Sequence, residues 1–546
     1  MCLQKLQRQL SEPNKRRGRS YRRTAEKQQC VCCECWSDEE VNTPSAAVHL
    51  KHHLRKHWNR NSSVNQQSVL EVCRMQRLMF LLMLTQSCAD NPAFKALLSE
   101  KALTDLSQMM PVWIQSKMKS TAIPDIHDQV DIGIGWVNYV LSHMRVVQCE
   151  TAEPSLVFVE GTGLYLEVRE LSLAVSGRWR TKFGIITDSG SFDVEVYNIY
   201  IRVVLGVGDK DGHLSISSES CSNDVGNVYI QFHGGTSFFY QLFEDYFSGK
   251  ASDMIRQKIC PAIQQAVTNM ETILQERTVN IPVDKYVYLS APLTSAPAVT
   301  DQSCRLEVKA EFYSRRSPSE PPFSARAFDL QYSDKHMLTL AASQFTVNSA
   351  AFAYLRSGAL QTNITDDMIP KGSPLHLNTS QFGVFIPQLR TLYPDMKMQV
   401  LLYASDMPLF SFTSGLMNIH VKMAAKFSAV KADDALVPLF TLNVDSRFSG
   451  IAQISNQKLT GAFKVNNITL TVGSSEIGDF KTDTIRQVLV IAVNTIILPK
   501  LNARLRSGFL LPTLQGFSLS NSQLLIKNGF VVIFTDIRLP DGLNAP

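Results

Sequence analysis

Residues 237–276 read SFFYQLFEDYFSGKASDMIRQKICPAIQQAVTNMETILQE, and the fold turns on this stretch. Apolar side chains recur at three- and four-residue steps: Phe239, Leu242, Phe243 and Tyr246, then Met254, Ile255, Ile259, Ile263, Val267, Met270 and Leu274. Such spacing is the stripe of an amphipathic helix, here sustained over about forty residues. Gly249 interrupts the stripe, and Pro261 predicts a bend. A helix of this length with one apolar face needs an equally long apolar partner, and the strand-rich segments on both sides are the candidates. Cys260 lies inside the stripe and Cys221 at the end of the preceding strands. A bridge pinning helix to sheet therefore stands beside the plainer reading, a core helix with two free cysteines.

Working outward, residues 137–149, 156–168, 171–186 and 191–207 are alternating or apolar-rich runs, punctuated by Asp188-Ser189-Gly190 and by Asp209-Lys210-Asp211-Gly212. This predicts an antiparallel meander, with the second punctuation a hairpin turn rather than a calcium loop. Asn91 and Pro92 are expected to open a helix lined by Phe94, Leu97, Leu98, Ala102, Leu106, Met109, Met110, Trp113 and Ile114, kinked at Pro111. Beyond the long helix come strands at 278–293 and 304–313, then RRSPSEPPFS at 315–324, whose Pro and Ser content reads as an extended linker. A second cycle follows. Residues 337–363 form a strand and a short helix, strands fill 374–475, and an amphipathic helix spans about Thr482 to Arg506 with a bend at Pro499. Residues 529–537 form a last strand. Meander, long proline-containing helix and returning strands thus occur twice, an internal duplication at the level of element order.

The formal charge of +5 hides an uneven distribution. Residues 1–89 hold 15 Lys+Arg against 7 Asp+Glu, residues 90–310 hold 18 against 26, and residues 311–546 hold 21 against 16. The basic character sits in the leader and is no nucleic-acid signal. Seven of the eleven cysteines also precede residue 90, leaving Cys149, Cys221, Cys260 and Cys304. Residues 1–74 read as a leader, disordered or absent from the mature protein. Its Cys32-x2-Cys35 and His49-x3-His53 approach a zinc-finger spacing but lack the apolar residues that pack around such a metal. At Met75 the character changes to MQRLMFLLMLTQSCA, a short apolar run with small residues at Ser87 and Ala89. Residues 75–89 are expected to be a signal peptide cleaved before Asp90. No stretch reaches eighteen consecutive apolar residues, so the mature chain is expected to be soluble and extracellular.

Signatures of catalysis are not found: there is no G-x-S-x-G, no H-E-x-x-H and no phosphate-binding glycine loop, and the histidines after residue 90 show no ligand-like spacing. No catalytic residue, metal or cofactor is expected. An amphipathic helix along a strongly curved sheet leaves either a filled core or a long apolar cavity, and periodicity does not distinguish them. A cavity would suit an acyl chain, at about 0.8 kcal/mol per buried CH₂.

Several segments carry a resemblance: NPAFKALLSEKAL (91–103), SGRWRTK (176–182), EFYSRRSPSEPPFS (311–324), DDMIPKGSPLHLNTSQFGVFIPQL (366–389) and LPKLNARLRSGFLLP (498–512). From Asn91 to its end the chain resembles the family of bactericidal permeability-increasing and lipopolysaccharide-binding proteins, the vertebrate bactericidal members lying nearest. The resemblance implies an α+β fold, a two-barrel boomerang. Each barrel would be a twisted antiparallel sheet wrapped around a long helix, the two joined by a central sheet and a Pro-rich linker. It divides the mature chain into a lipid-binding barrel at 90–314, a linker at 315–328 and a second barrel at 329–546. It puts Cys221 and Cys260 at the positions of the family disulfide and a phospholipid in an apolar pocket of each barrel, with Leu97, Leu242, Phe243, Leu489 and Val493 as pocket candidates. It also implies a lipopolysaccharide-binding tip at Arg178, Trp179, Arg180 and Lys182, the cations taking phosphate and the tryptophan sitting at the membrane boundary. Asn363, Asn378 and Asn467 open N-x-[ST] acceptor sequences in the C-terminal half. The expected molecule is a secreted monomer of innate immunity, antibacterial at the outer membrane of Gram-negative bacteria, with a lipopolysaccharide receptor as a further partner. One departure is plain. The family's defence members have a strongly basic N-terminal half, whereas residues 90–310 sum to −8. The alternative is a lipid-transfer carrier or a lipid-presenting accessory without bactericidal activity.

Overall fold

Residues 91–235, 240–369, 376–510 and 518–538 are described in the computed structural model, with side chains of the long helix from Tyr246 onward. The basic leader, its Cys/His set and the apolar run before Asp90 lie outside the described residues, as do the side chains of Leu242 and Phe243.

Phe94–Ser99 is a β-strand, not the opening of a helix. The spacing of Phe94, Leu97 and Leu98 imitates a helical face, but the operative period is two: Lys95, Leu97 and Ser99 point one way and are buried. Lys95 tolerates burial because Glu307, its cross-strand partner, meets it at 2.9 Å. Helix α1, Glu100–Ser120, follows directly and continues through Pro111. The second cycle opens in the same way, with strand Leu338–Ser343 running straight into helix α3, Gln344–Arg356. These two opening strands lie antiparallel side by side, with Ala96 opposite Leu340. The Ser99 amide donates to the Met337 carbonyl at 3.0 Å and the Ser343 amide to the Ala93 carbonyl at 2.8 Å, a reciprocal pair about a local two-fold. Around them a six-stranded sheet is completed by 298–299 and 303–308 on one side and by 530–538 and 518–527 on the other. Residues 315–337, between the two cycles, carry no helix or strand.

The N-terminal cycle builds an antiparallel sheet in the order 126–131, 136–150, 163–183, 186–210, 213–225, with 155–159 also pairing with 163–183 and 228–233 with 186–210. Asp188-Ser189-Gly190 is no turn: these residues lie inside the strand Ile186–Lys210, opposite Trp179, Arg180 and Thr181. The glycine answers packing instead, since a Cβ at Gly190 would stand 1.9 Å from the His233 carbonyl oxygen. The chain reverses at Gly184-Ile185, where Gly184 takes φ +58°, and at Asp211-Gly212, both with positive φ as a two-residue hairpin loop requires. Helix α2, Tyr240–Glu276, runs unbroken through Gly249 and Pro261. The edge strand 213–225 is fastened to it by the Cys221–Cys260 disulfide, with Cα atoms 5.7 Å apart. On either side of the bridge, Arg256 pairs with Asp224 at 3.2 Å, and Glu271 accepts from the Ile216 amide at 2.8 Å and the Ser215 hydroxyl at 3.1 Å. The edge is thus covered along its length by a helix. Cys149 and Cys304 are free; burial raises the pKa of both thiols.

The C-terminal cycle repeats the plan with a sheet in the order 361–364, 397–404, 416–430, 436–455, 458–475, 509–510. Helix α4, Asp483–Ser507, contains a π turn at Val493–Ile497 just before Pro499. Proline offers no amide to the preceding turn, and the wider turn accommodates that gap. By length and composition α4 is apolar enough to cross a membrane, although it has no run of eighteen apolar residues. In the fold, its Val493 and Leu498 pack with Ile468, and Asn502 exchanges two hydrogen bonds of 2.8 Å with the backbone of Phe463.

Candidate functional site: an apolar cavity and a hairpin tip

In α2 the residues at 251, 255, 259 and 263 form one i,i+4 ridge, Ala-Ile-Ile-Ile, facing the sheet. The sheet presents Leu173, Val175, Val196, Ile199 and Ile201, and the end of α1 adds Met118. These walls do not meet. They enclose a cavity of about 600 Å³, the size of an ordinary ligand site. Its polar lining residues are Thr121, Tyr139, Lys250 and Lys258. The Thr121 hydroxyl donates to the Lys117 carbonyl, and the Tyr139 hydroxyl to Asp128 at 3.3 Å. Burial, then the nearby Asp128 carboxylate, pushes the Tyr139 pKa well up, so this hydroxyl stays protonated. A second apolar cavity of about 310 Å³ lies toward the six-stranded sheet, lined among others by Ala96, Leu98, Phe158, Ile216, Leu274 and Leu306.

The pocket candidates are placed differently. Leu97 faces the opposite side of its strand from Ala96 and Leu98, packed with Leu330, Ala341 and Val532. Leu489 packs against a core cluster containing Phe382, Phe427 and Phe440, and Val493 belongs to another with Ile468 and Leu498. In the cluster beside Leu489 the Phe427 and Phe440 rings stack at 4.6 Å, and Phe480 closes on Phe440 at 5.1 Å. No residue of Asp483–Ala492 is fully buried, so Leu489 lies beside this cluster and not inside it.

Arg178, Arg180 and Lys182 all face solvent on one side of the strand Gly163–Phe183, next to the hairpin at Gly184-Ile185. Their cross-strand neighbours are Ser142, Val140 and Asn138 on one flank and Ser191, Ser189 and Thr187 on the other, none of them charged. Trp179 corrects the sequence reading. The alternation that exposes its neighbours turns it inward, where it is 5% exposed and edge-to-face with Phe232 at 6.1 Å. The exposed tryptophan at this end is Trp136, 57% exposed, on the adjoining hairpin with Ile134. Ile185 at 99% and Ile186 project beside them. The two hairpins touch, since a Cβ at Gly135 would lie 3.0 Å from the Phe183 ring. Sequence reasoning passed over this apolar group. Its signal was DIGIGW, apolar residues spaced by glycines in a turn.

The acceptor asparagines differ in access. Asn363 and Asn467 are exposed on strands, whereas Asn378 caps a short helix and accepts from the Gln381 amide at 2.8 Å. Among the described residues no cluster of His, Cys, Asp and Glu could hold a metal.

A long helix laid along a curled antiparallel sheet occurs twice, the two copies joined through one six-stranded sheet, and the N-terminal copy encloses an apolar cavity. The chain belongs to the LBP/BPI/CETP family: the family's N-terminal domain matches residues 102–270 and its C-terminal domain residues 282–539. It is 34% identical over 470 residues to the bactericidal permeability-increasing protein of Sebastes schlegelii, covering 86% of this chain and 99% of that one. It is 27% identical to the lipopolysaccharide-binding protein of Homo sapiens, covering 84% and 97%. Among solved structures, a lipopolysaccharide-binding protein matches with a TM-score of 0.51 at 25% identity, covering 82% of this chain and 99% of that one.

Proposed function

We propose that this is a secreted lipid-binding protein that takes bacterial lipopolysaccharide at the N-terminal hairpin tip and phospholipid acyl chains in the N-terminal cavity, with an antibacterial role against Gram-negative bacteria. The observation that carries the reading is the row of Arg178, Arg180 and Lys182. Three cations stand on one solvent face with uncharged cross-strand neighbours, beside the projecting Trp136, Ile134, Ile185 and Ile186. Guanidinium and ammonium groups suit phosphate, and the apolar group suits the acyl boundary beside it. The net negative charge of residues 90–310 weakens long-range attraction. At 0.15 M salt it is screened beyond about 8 Å, which leaves contact interactions to decide. The relatives named for lipopolysaccharide binding support the same reading. The disulfide supports an oxidising compartment.

A second reading, a lipid carrier without the defence role, is favoured by that negative charge together with the cavity. Lipopolysaccharide binding by the parent and by the R178A/R180A/K182A variant, measured across a salt series, separates the two. The tip reading expects a loss of roughly 1 kcal/mol or more per charged contact, a shallower salt dependence, and unchanged phospholipid content. Equal binding by parent and variant would leave the carrier.

A further inference from the structure

Two lysines stand on the wall of an otherwise apolar cavity, and their positions on α2 are not equivalent to those of its other lining residues. The ridge 251, 255, 259, 263 faces inward. The adjacent ridge 250, 254, 258, 262 reads Lys-Met-Lys-Ala and lies at the cavity's edge. Both line the cavity, Lys258 exposed and Lys250 half-buried, so each side chain borders the cavity and solvent together. Their charges are not equally available. Lys250 is held by Asp128 at 3.0 Å, and its pKa is raised chiefly by that hydrogen bond. Lys258 has no acidic or hydrogen-bonding partner among the described residues. The other acid on this turn of the sheet edge, Asp224, is taken by Arg256 at 3.2 Å. Lys258 therefore brings an unpaired positive charge to the edge of the cavity, with Lys117 and Lys119 of α1 adding cations beside Met118 and Thr121 and Asp253 of α2 an acid one turn earlier.

We propose that Lys258 makes the N-terminal cavity selective for lipids with an anionic headgroup: the acyl chains fill the cavity and the phosphate meets the Lys258 ammonium group at the mouth. The proposal rests on the reading of this cavity as a lipid site. An apolar wall has no preference among headgroups, so discrimination must arise where the headgroup emerges. A phosphate with a free net charge gains a charge-assisted contact there. A zwitterionic choline headgroup brings its own cation to the same place and gains less. Thr121, the other polar group on the lining besides Tyr139, has its hydroxyl engaged with backbone and adds no competing charge.

The test is equilibrium loading from vesicles of equimolar phosphatidylglycerol and phosphatidylcholine with matched acyl chains. The protein is then re-isolated, and the extracted lipid is quantified by mass spectrometry. The parent is expected to hold phosphatidylglycerol in roughly fivefold excess, the scale of one partly screened ion pair. Lys258→Gln should bring the ratio near one with total lipid unchanged, and Lys258→Glu should invert it. The R178A/R180A/K182A variant should keep the parent's ratio, because none of these three residues lines the cavity. A ratio unaffected by Lys258→Gln while lipid is still bound overturns headgroup selection alone. A parent that carries no lipid overturns the cavity reading and this proposal with it.

Discussion

The Cys221–Cys260 bridge closes a loop of 39 residues and joins the edge strand 213–225 to the middle of α2, the helix that forms one wall of the larger cavity. Replacing both cysteines with serine removes the link without leaving a reactive thiol. In the chain-entropy account a loop of this length is worth about 4 kcal/mol, and at about 1.4 kcal/mol per decade that is close to a thousandfold in an opening equilibrium. The full factor is an upper limit for detachment of α2 alone. Arg256 still pairs with Asp224, and Glu271 still accepts from Ser215 and Ile216. Hydrogen exchange resolves the effect by segment. The C221S/C260S variant should lose ten- to a thousandfold protection in α2 around Cys260, with little change in the sheet 416–475 of the other half. Release of bound lipid should quicken in parallel, because the wall that opens is the one lining the cavity. Unchanged exchange in α2 would refute the reasoning and show that the polar pins and apolar packing already hold the helix at the edge.

Asp536 accepts from Lys101, the Met337 amide and Asn521, tying α1 to two strands of the central sheet. Burial pushes its carboxyl up, but these hydrogen bonds outweigh it and hold the pKa below the ordinary aspartate value. A depressed folded-state pKa stabilises above the unfolded value, near 4, and that stabilisation is lost as pH falls through the folded pKa. Asp536→Asn should therefore cost about 1–2 kcal/mol at pH 7, and the gap from the parent in denaturation midpoint should close under acid; a gap that persists at low pH would assign the cost to shape rather than charge. In secreted material, peptide mapping after glycosidase treatment should find occupancy at the exposed Asn363 or Asn467 in preference to Asn378, which is half-buried at the start of a short helix. Glycan on Asn378 alone would contradict the access argument.

Residues 237–276 were readable because a 3.6-residue stripe over ten turns has no other explanation, and the helix runs Tyr240–Glu276. Phe94–Ser99 was not readable locally. Its burial depends on Glu307 accepting the charge of Lys95 from across the sheet, and no window around residue 95 contains that partner. The tip shows a different limit. Alternation correctly put Arg178, Arg180 and Lys182 on one face, and the same rule applied to the residue between them turns Trp179 inward. Asp188-Ser189-Gly190 misled because glycine marks turns in general, yet here it relieves contact between a strand, the His233 carbonyl and the Trp179 ring.

The duplication was legible as element order, but which residues stand behind each helix was not. Both halves lay a long helix along a curled sheet and fasten it to a neighbouring strand, by Cys260 to Cys221 in one and by Asn502 to the Phe463 backbone in the other. Behind α2 the sheet offers largely Val, Ile and Leu, which are too short to reach the Ala-Ile-Ile-Ile ridge of the helix, and about 600 Å³ stays open. Behind the start of α4, Phe382, Phe427, Phe440 and Phe480 pack ring to ring against Ile485 and Leu489. A stripe in the sequence states that a face is apolar; whether it meets a side chain or a space depends on residues contributed by other elements of the fold. Interiors pack at crystal-like density wherever side chains reach. An apolar wall left unfilled beneath α2 is what sets this part of the fold apart from a packed core.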